Sequence, residues 1–557
     1  MMTRKCPTCG RQLGPVGECV ACGGPKEKKT GLIEALAITG IVIVLLGAIG
    51  FGVSKIVGNP FQLLNRLKLR QNDIYEVTLA AKDLPVSREP QKTLTLDQIE
   101  QLRELFENRQ FATLNSKIEM VQQDFEDHFN NEYKLQDAFS IFATTLPFYE
   151  ELFAAWIEYS PDHFAPYLAR AHYYYTKGWE SRGYSWARDT TQEQFRMMHQ
   201  NFQKASDDAQ RARDIYPRLL TAYIILIGIS NATGNDPGEQ DWSQAGLELF
   251  PHSFLIRSTY MNAITPRWGG SYRQMENFAK EAEAYAQDNP YLTCLYGYIY
   301  CDQAKVLKSQ KKYGEAATLY TKAIAFGDSW YFYNERAKVY HHYLKAPDKA
   351  LADADYSIYL RATREESYRT RARIHFQKNH YDAALDDLHT AIVLSPADSS
   401  TLNWQEWAGT HLLKKGHKIY KTDLNQAIDN YNLSLMFYPD NVEAHYWRGA
   451  AYSRLNELDL ALADLEKAIE LDPRHFSAYL MLDYTLFQRH ELDRIVQYWN
   501  QFIELEPDHP RAYLERSGTY YHKKDFANAL KDLKKSCELG NKEACTRYDQ
   551  YKDRWAG

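Results

Sequence analysis

Seven positions, Ala316, Ala350, Ala384, Ala427, Ala461, Ile495 and Ala529, lie 34, 34, 43, 34, 34 and 34 residues apart. A recurring period of this length is the mark of a two-helix unit that cannot bury its apolar face alone and stacks on copies of itself. The clearest unit runs from Tyr446 to Pro473, YWRGAAYSRLNELDLALADLEKAIELDP. Gly449 and Tyr452 fall on a first helix, and Ala461, Leu465 and Ala468 share one face of a second. Small side chains at Gly449, Ala461 and Ala468 let the two helices approach closely. Pro473 cannot continue a helix and ends the unit.

In spacing, small positions and terminal proline this unit resembles the tetratricopeptide repeat. The same grid recurs in YRTRARIHFQKNHYDAALDDLHTAIVLSP, KAPDKALADADYSIYL, KKYGEAATLYTKAI, NQAIDNYNLSLMFYP and FANALKDLKKSCELGN. HLLKKGHKIYKTD, before Ala427, reads as a longer connection that absorbs the nine extra residues. LDRIVQYWNQFIELEP, with Ile495, Trp499 and Phe502 at usually smaller positions, is expected to pack loosely or at an altered angle. The fold class implied is all-α: an α-solenoid of about seven such hairpins over 291–557. In the resembled family the first helix of each unit lines a groove that binds protein partners as peptides or helical segments. Carried over, the groove positions are Arg369, Arg373, Tyr446, Trp447, Arg454, Tyr484 and Arg516. Aromatics and arginine suit peptide recognition. The Lys/Asn/Arg set with which some members clamp a terminal carboxylate is not evident.

At 557 residues several folded units are expected. A 14% aromatic content, with 41 Tyr, and few β-branched runs agree with helices throughout. The net charge of −6 is spread along the chain, so no nucleic-acid surface is expected.

Four of the eight cysteines crowd the first 22 residues. Cys6, Cys9, Cys19 and Cys22 form C-x2-C-x9-C-x2-C with glycine after each pair. Two such knuckles can complete a tetrahedral four-thiolate site. Residues 1–25 resemble a short bacterial zinc ribbon, which implies a structural Zn2+ with no open coordination position. Disulfides or free thiols are the alternative. From Ala35 to Val53 no charge interrupts 19 residues, enough to cross about 30 Å of hydrocarbon. The expected membrane helix is 32–57, in contact with the lipid bilayer. A metal-site sequence before it and no A-x-A after it argue against a cleaved signal. Ala48 and Gly52 are spaced to bring two such helices together as a homo-oligomer.

Flanking lysines and arginines balance, so orientation rests on the thiolates. They favour a reducing compartment, which puts the N-terminus in the cytosol and the repeats in the periplasm or outside the cell. Residues 58–95, with Pro60, Pro85 and Pro90, read as a linker that lifts the rest off the membrane.

Residues 96–290 form a second helical region with two dense motifs, GWESRG at 178–183 and TPRWGGSYRQMENFA at 265–279. With LRELFENRQFATL and LPFYEELFAAWIEYSP, they resemble an uncharacterised bacterial domain family with a PRWGGS signature and no established activity. Pro266 stops a helix, Gly269-Gly270 opens backbone angles closed to other residues, and Ser271 can cap the next helix. Trp179, Arg182, Arg267 and Trp268 could cluster, arginine over tryptophan. That cluster is either a ligand pocket at a helix start or a structural corner.

No nucleophile elbow, HExxH or phosphate-cradling loop is present. Cys294 and Cys301, seven apart on one helix, are expected core residues. Cys537 and Cys545 flank a Leu-Gly-Asn turn and resemble the cysteine pair of exported Sel1-like repeat proteins, which implies a disulfide. Two buried free thiols are the alternative. The expected function is that of a non-catalytic, membrane-anchored scaffold or assembly factor at the cytoplasmic membrane. An enzyme or small-ligand receptor centred on the WESRG and PRWGGS motifs, and a signal relay through the zinc ribbon, are the alternatives.

Overall fold

In a computed structural model the described residues are 74–77, 84–183, 189–234 and 238–555. Cys6, Cys9, Cys19, Cys22 and the 32–57 span lie outside them. Among the described residues no helix is long and apolar enough to cross a membrane. No group of three or more His, Cys, Asp or Glu among them could hold a metal ion.

The described residues form 25 α-helices and short 3-10 turns, with no β-strand. The first ten helices are Leu96–Glu107 (α1), Phe111–Asp127 (α2), Glu132–Ser140 (α3), Tyr149–Tyr159 (α4), Phe164–Arg182 (α5), Gln192–Ile215 (α6), Leu220–Thr233 (α7), Glu239–Leu249 (α8), Phe254–Ala263 (α9) and Tyr272–Glu281 (α10). Three hairpins follow: Cys294–Ser309 with Tyr313–Ala325 (α11, α12), Trp330–His342 with Pro347–Leu360 (α13, α14), and Glu365–Gln377 with Tyr381–Leu394 (α15, α16). After the boundary between Asp398 and Ser399 come Ser399–Ile419 (α17), Leu424–Phe437 (α18), Val442–Arg454 (α19), Leu458–Leu471 (α20), Phe476–Gln488 (α21), Leu492–Leu505 (α22), Pro510–His522 (α23), Phe526–Glu538 (α24) and Lys542–Trp555 (α25).

The period of 34 is a packing period. Ala316, Ala350, Ala384, Ala427, Ala461, Ile495 and Ala529 are all fully buried. A Cβ on Gly449 would come within 2.9 Å of Leu465 Cγ and 3.1 Å of the Ala461 carbonyl oxygen, so α19 and α20 touch backbone to side chain there. The Ile495 hairpin is not loose: Ile495, Trp499 and Phe502 are as buried as the alanines they stand beside. The nine extra residues before Ala427 are not a connection either. Residues 411–419 continue α17, which reaches 21 residues. Leu412, Leu413 and Gly416 keep its buried face, and a Cβ on Gly416 would strike the Tyr431 ring at 2.5 Å.

The first unit joins residues expected to form two domains. One apolar core runs from Leu94 through the helices of 96–290 to Leu394. A buried polar knot adds to it. Arg361, at the end of α14, pairs with Asp137 of α3 at 3.0 Å, lies over the Tyr133 ring at 4.1 Å and donates to Gln136. Thr363 also donates to Asp137. Both charged side chains are almost wholly out of water, where such pairs persist only when further hydrogen bonds complete them.

The stretch expected as a linker is, at 74–77 and 84–94, an extended strap held on this unit. Gln303 grips the backbone of Tyr75 through both ends of its amide, 2.6 Å from the NH and 3.0 Å from the carbonyl. The Val77 NH donates to the Tyr300 hydroxyl at 3.1 Å. Further along, Thr293 donates to the Pro85 carbonyl, the Asp328 NH to Ser87, Tyr291 to Glu89 and the Gln91 NH to Leu360. Arg88 pairs with Asp328.

Candidate interaction surfaces

On four first helices an arginine stands immediately before or beside the small packing residue and bolts its own hairpin. Arg336 reaches Asp353 with two bonds of 2.8 and 2.7 Å. Arg371 reaches Asp387 at 2.9 and 2.7 Å, Arg448 reaches Asp464 at 2.7 and 2.6 Å, and Arg516 reaches Asp532 at 2.7 and 2.8 Å. In each, the remaining Nη1 donates to the second helix of the preceding hairpin, on Thr321, Asp355, Asn432 and Asn500 in turn. The fork geometry of guanidinium suits this two-way tie, which an ammonium could not make. Arg516, expected to line a groove, is one of these bolts, with each of its three guanidinium nitrogens donating within the array.

The Ile495 hairpin lacks the bolt, because Leu482 and Tyr498 occupy the two positions. One residue further along each helix, the Trp499 Nε1–H donates to Asp483 at 2.6 Å. Burial pushes the Asp483 carboxyl up to about 6, against the lowering effect of the Trp499 bond and with Glu515 raising it further. Tyr498 turns to Glu466 instead, at 2.6 Å.

The other expected groove residues occupy two places. In 399–557, Trp447 meets His417, Tyr420 and Tyr446 with ring centroids 4.6, 5.2 and 5.2 Å away. Tyr446 continues to His475 at 5.1 Å, and the Arg454 guanidinium lies 5.1 Å over Tyr420. Trp407, Tyr484 and Tyr521 are 53%, 56% and 48% exposed. Trp407, on α17, was not anticipated because the repeat grid is interrupted there. In 294–398, Arg369 pairs with Asp398, and burial with Arg369 beside it pushes Arg373 down from the usual arginine range.

The structure places the two dense motifs at separate helix corners. Trp179, near the end of α5, meets Phe202 of α6 at 5.4 Å and Tyr175 at 6.3 Å, both edge-on. Arg182 caps the same helix end, donating to the Gly183 carbonyl. Pro266–Trp268 is a 3-10 turn between α9 and α10. Arg267 ion-pairs with Asp302 of α11, which also accepts from the Tyr272 hydroxyl at 3.1 Å. Trp268 is half-buried in that turn, its NH donating to Thr265. Gly269 has φ +96°, and a Cβ on Gly270 would lie 1.9 Å from the Ile264 carbonyl oxygen. Ser271 accepts from the Gln274 NH and caps α10. Pro266, Gly269, Gly270 and Ser271 thereby turn the chain, and Arg267 ties the turn to α11.

Cys537 and Cys545 are joined as a disulfide between α24 and α25, with Cα atoms 4.6 Å apart. Cys294 and Cys301 are free and buried, and burial pushes both thiols up to about 12, so they remain protonated core groups.

A tetratricopeptide repeat model matches residues 442–475, and the model of a domain of unknown function, DUF4034, matches residues 98–238. The second match ends before the PRWGGS motif. Similar solved structures include MamA, 24% identical over 31% of this chain and 96% of that one, with a TM-score of 0.22. YrrB, described as a TPR protein with an unusual peptide-binding site, is 19% identical over 42% and 97%, with a TM-score of 0.21. The C-terminal part of a TPR repeat-containing protein from Cytophaga hutchinsonii is 21% identical over 44% and 98%, with a TM-score of 0.24. No curated protein matches. The family models thus match one tetratricopeptide repeat, within the hairpins of 399–557, and one DUF4034 segment, within the helices of 96–290.

Proposed function

We propose that this chain is a non-catalytic protein-interaction scaffold, anchored in the cytoplasmic membrane by residues 32–57 with a structural zinc ribbon on the cytosolic side. One observation carries the scaffold reading. In 399–557 the bolt arginines are consumed inside the array, while Trp407, Trp447, Tyr484, Tyr521 and Arg454 remain on its exterior. Amphipathic aromatics and arginine at a surface are the residue types that anchor protein partners. The corner built from Pro266 to Ser271 supports a structural part for the PRWGGS motif.

A photo-crosslinking side chain at Trp447 or Tyr484 is expected to trap discrete adducts in cells, and one at Glu470, exposed on a second helix, is not. Equal labelling at all three positions would sink the scaffold reading. The anchoring part is tested separately by a topology reporter fused after residue 60. A cytosolic signal there overturns the periplasmic or extracellular assignment of the repeats.

A further inference from the structure

The first hairpin of the array, α11–α12, differs from its successors in what covers its outer edge. Gln303 directly precedes the buried Ala304, the register that Arg336, Arg371 and Arg448 hold before Ala337, Ala372 and Gly449. Each of those arginines reaches back to the second helix of the preceding hairpin. No hairpin of the 34-residue grid precedes α11, and Gln303 grips the strap at Tyr75 instead. Glu76 pairs with Lys322 of α12 at 2.6 Å. An extended segment thus stands where a helix stands in later hairpins, at an end of the array that needs a cap.

The cap is lightly held. Of residues 84–94 only Ser87 and Leu94 are buried, while Val86 is 37% exposed and the Arg88 side chain 50%. Its grip is mainly polar: hydrogen bonds to its backbone at Pro85, Ser87, Glu89 and Gln91, and the Arg88–Asp328 pair. Segments with few buried apolar contacts open well below the free energy of global unfolding. Beneath this one lies a thiol. Thr293, which donates to Pro85, adjoins the fully buried Cys294. Beside Gly327 the Cys294 sulfur and the strap converge: a Cβ there would lie 2.5 Å from Sγ and 3.7 Å from both the Ser87 carbonyl oxygen and Val86 Cγ1. Burial pushes the thiol up to about 12, Asp328 adds to the rise, and Arg88 of the strap opposes it. Cys301, two turns along α11, is as buried, but the charged groups acting on it are Lys305, Glu335, Asp302 and Lys308, none of them in the strap.

We propose that residues 84–91 are a releasable latch: they leave the folded helices as one segment, with α11 to α13 intact, and so uncap the first hairpin and admit solvent to Cys294. Release stops at Leu94, whose buried side chain and NH bond to Asp137 hold the start of α1. The open end of the array is thereby governed by the chain that precedes it. This goes beyond the scaffold reading, involves none of the aromatic residues in 399–557, and holds whether or not 32–57 crosses a membrane.

The test is labelling of the native full-length chain with iodoacetamide, resolved by peptide mass spectrometry at Cys294 and Cys301. Both thiols sit on α11, so unfolding of the helix exposes both, and release of the latch exposes Cys294 alone. Cys294 is expected to label faster than Cys301. Arg88→Gln should speed labelling of Cys294 about tenfold and Thr293→Val about fivefold, as expected for loss of one charged and one neutral hydrogen bond, with Cys301 unchanged. The sign is diagnostic. Arg88 favours the thiolate that reacts, so its loss from a latch that stayed shut would slow labelling. A common rate for the two thiols would overturn the proposal, because only opening of the whole unit would then expose Cys294. So would unchanged or slower labelling of Cys294 in Arg88→Gln.

Discussion

Removing one partner of an arginine–aspartate bolt should hurt far more than removing both. The Arg448–Asp464 pair joins α19 to α20, with Asp464 only 6% exposed and Arg448 22%. Burial raises the Asp464 carboxyl, but bonds from Arg448 and His445 outweigh it and hold it below the usual carboxylate range. Arg448→Met keeps much of the apolar stem and leaves a buried carboxylate with His445 as its one side-chain donor, 3.0 Å away. It also strips Asn432 of its donor.

Breaking one side of a buried pair costs about 3–5 kcal/mol, and the surviving histidine brings this to about 2–4 kcal/mol. Arg448→Met with Asp464→Leu leaves no buried charge and should cost only about 0–1 kcal/mol. The coupling in a double-mutant cycle is therefore about 2–4 kcal/mol. Native-state hydrogen exchange by mass spectrometry reads this directly: α19 and α20 amides should exchange about a hundredfold faster in Arg448→Met. Amides of α11 and α12 should not change, because repeat stability is a nearest-neighbour property. The Asp464 pKa is depressed on folding, so its contribution is present at neutral pH and is lost as pH falls through the folded value. Single substitutions that add to the double within about 0.5 kcal/mol would refute the reasoning.

The bolt-free hairpin should respond to pH in the opposite sense. Asp483 titrates near 6 when folded and near 3.9 unfolded. Stability of α21–α22 should fall as pH rises from about 4 to about 6, by about 2–3 kcal/mol. Asp483→Asn, which keeps an acceptor for Trp499, should flatten that dependence and slow exchange there at neutral pH; an unchanged profile counts against a buried, proton-holding Asp483. At the PRWGGS corner, Gly270→Ala forces a Cβ onto the Ile264 carbonyl and should cost more than about 3 kcal/mol, read as lost protection in α9 and α10. Gly269→Asn, in the left-handed region with open space around it, should cost about 1 kcal/mol or less. Equal tolerance of the two would remove the case for a backbone-packed corner.

The hairpins were legible because their determinants are local: a small residue every 34 positions marks where two backbones approach, and each such residue is buried. The length of α17 was missed, although Gly409, Leu412, Leu413 and Gly416 keep a helical stripe through a stretch read as a connection. Lysines around Gly416 obscured it. The strap could not be read this way. Tyr75 and Gln303 are 228 residues apart, and an extended proline-containing segment has no periodicity to announce its partner. The Asp137–Arg361 knot joins residues 224 apart, which is why a composition boundary near 290 did not become a structural one.

The misplacement of Arg516 exposes a rule that separates the arginines of this chain. Arg371 and Arg373 lie two residues apart on α15, so their side chains diverge by about 200° around the axis. The first turns inward to Asp387, sixteen residues ahead, and the second follows Ala372 onto the face shared with Arg369. Arg448 and Arg516 each have an aspartate sixteen residues ahead, and Arg336 has one at seventeen. Arg369, which precedes Thr370 and not a small packing residue, has Asp386 seventeen residues ahead yet pairs with Asp398, and Arg454, with Glu470 sixteen ahead, lies over Tyr420. An arginine just before the small residue with an aspartate one hairpin turn ahead is therefore a structural tie. By this criterion Arg516 belongs with the ties, bonded to Asp532 and Asn500, whereas Arg454 does not.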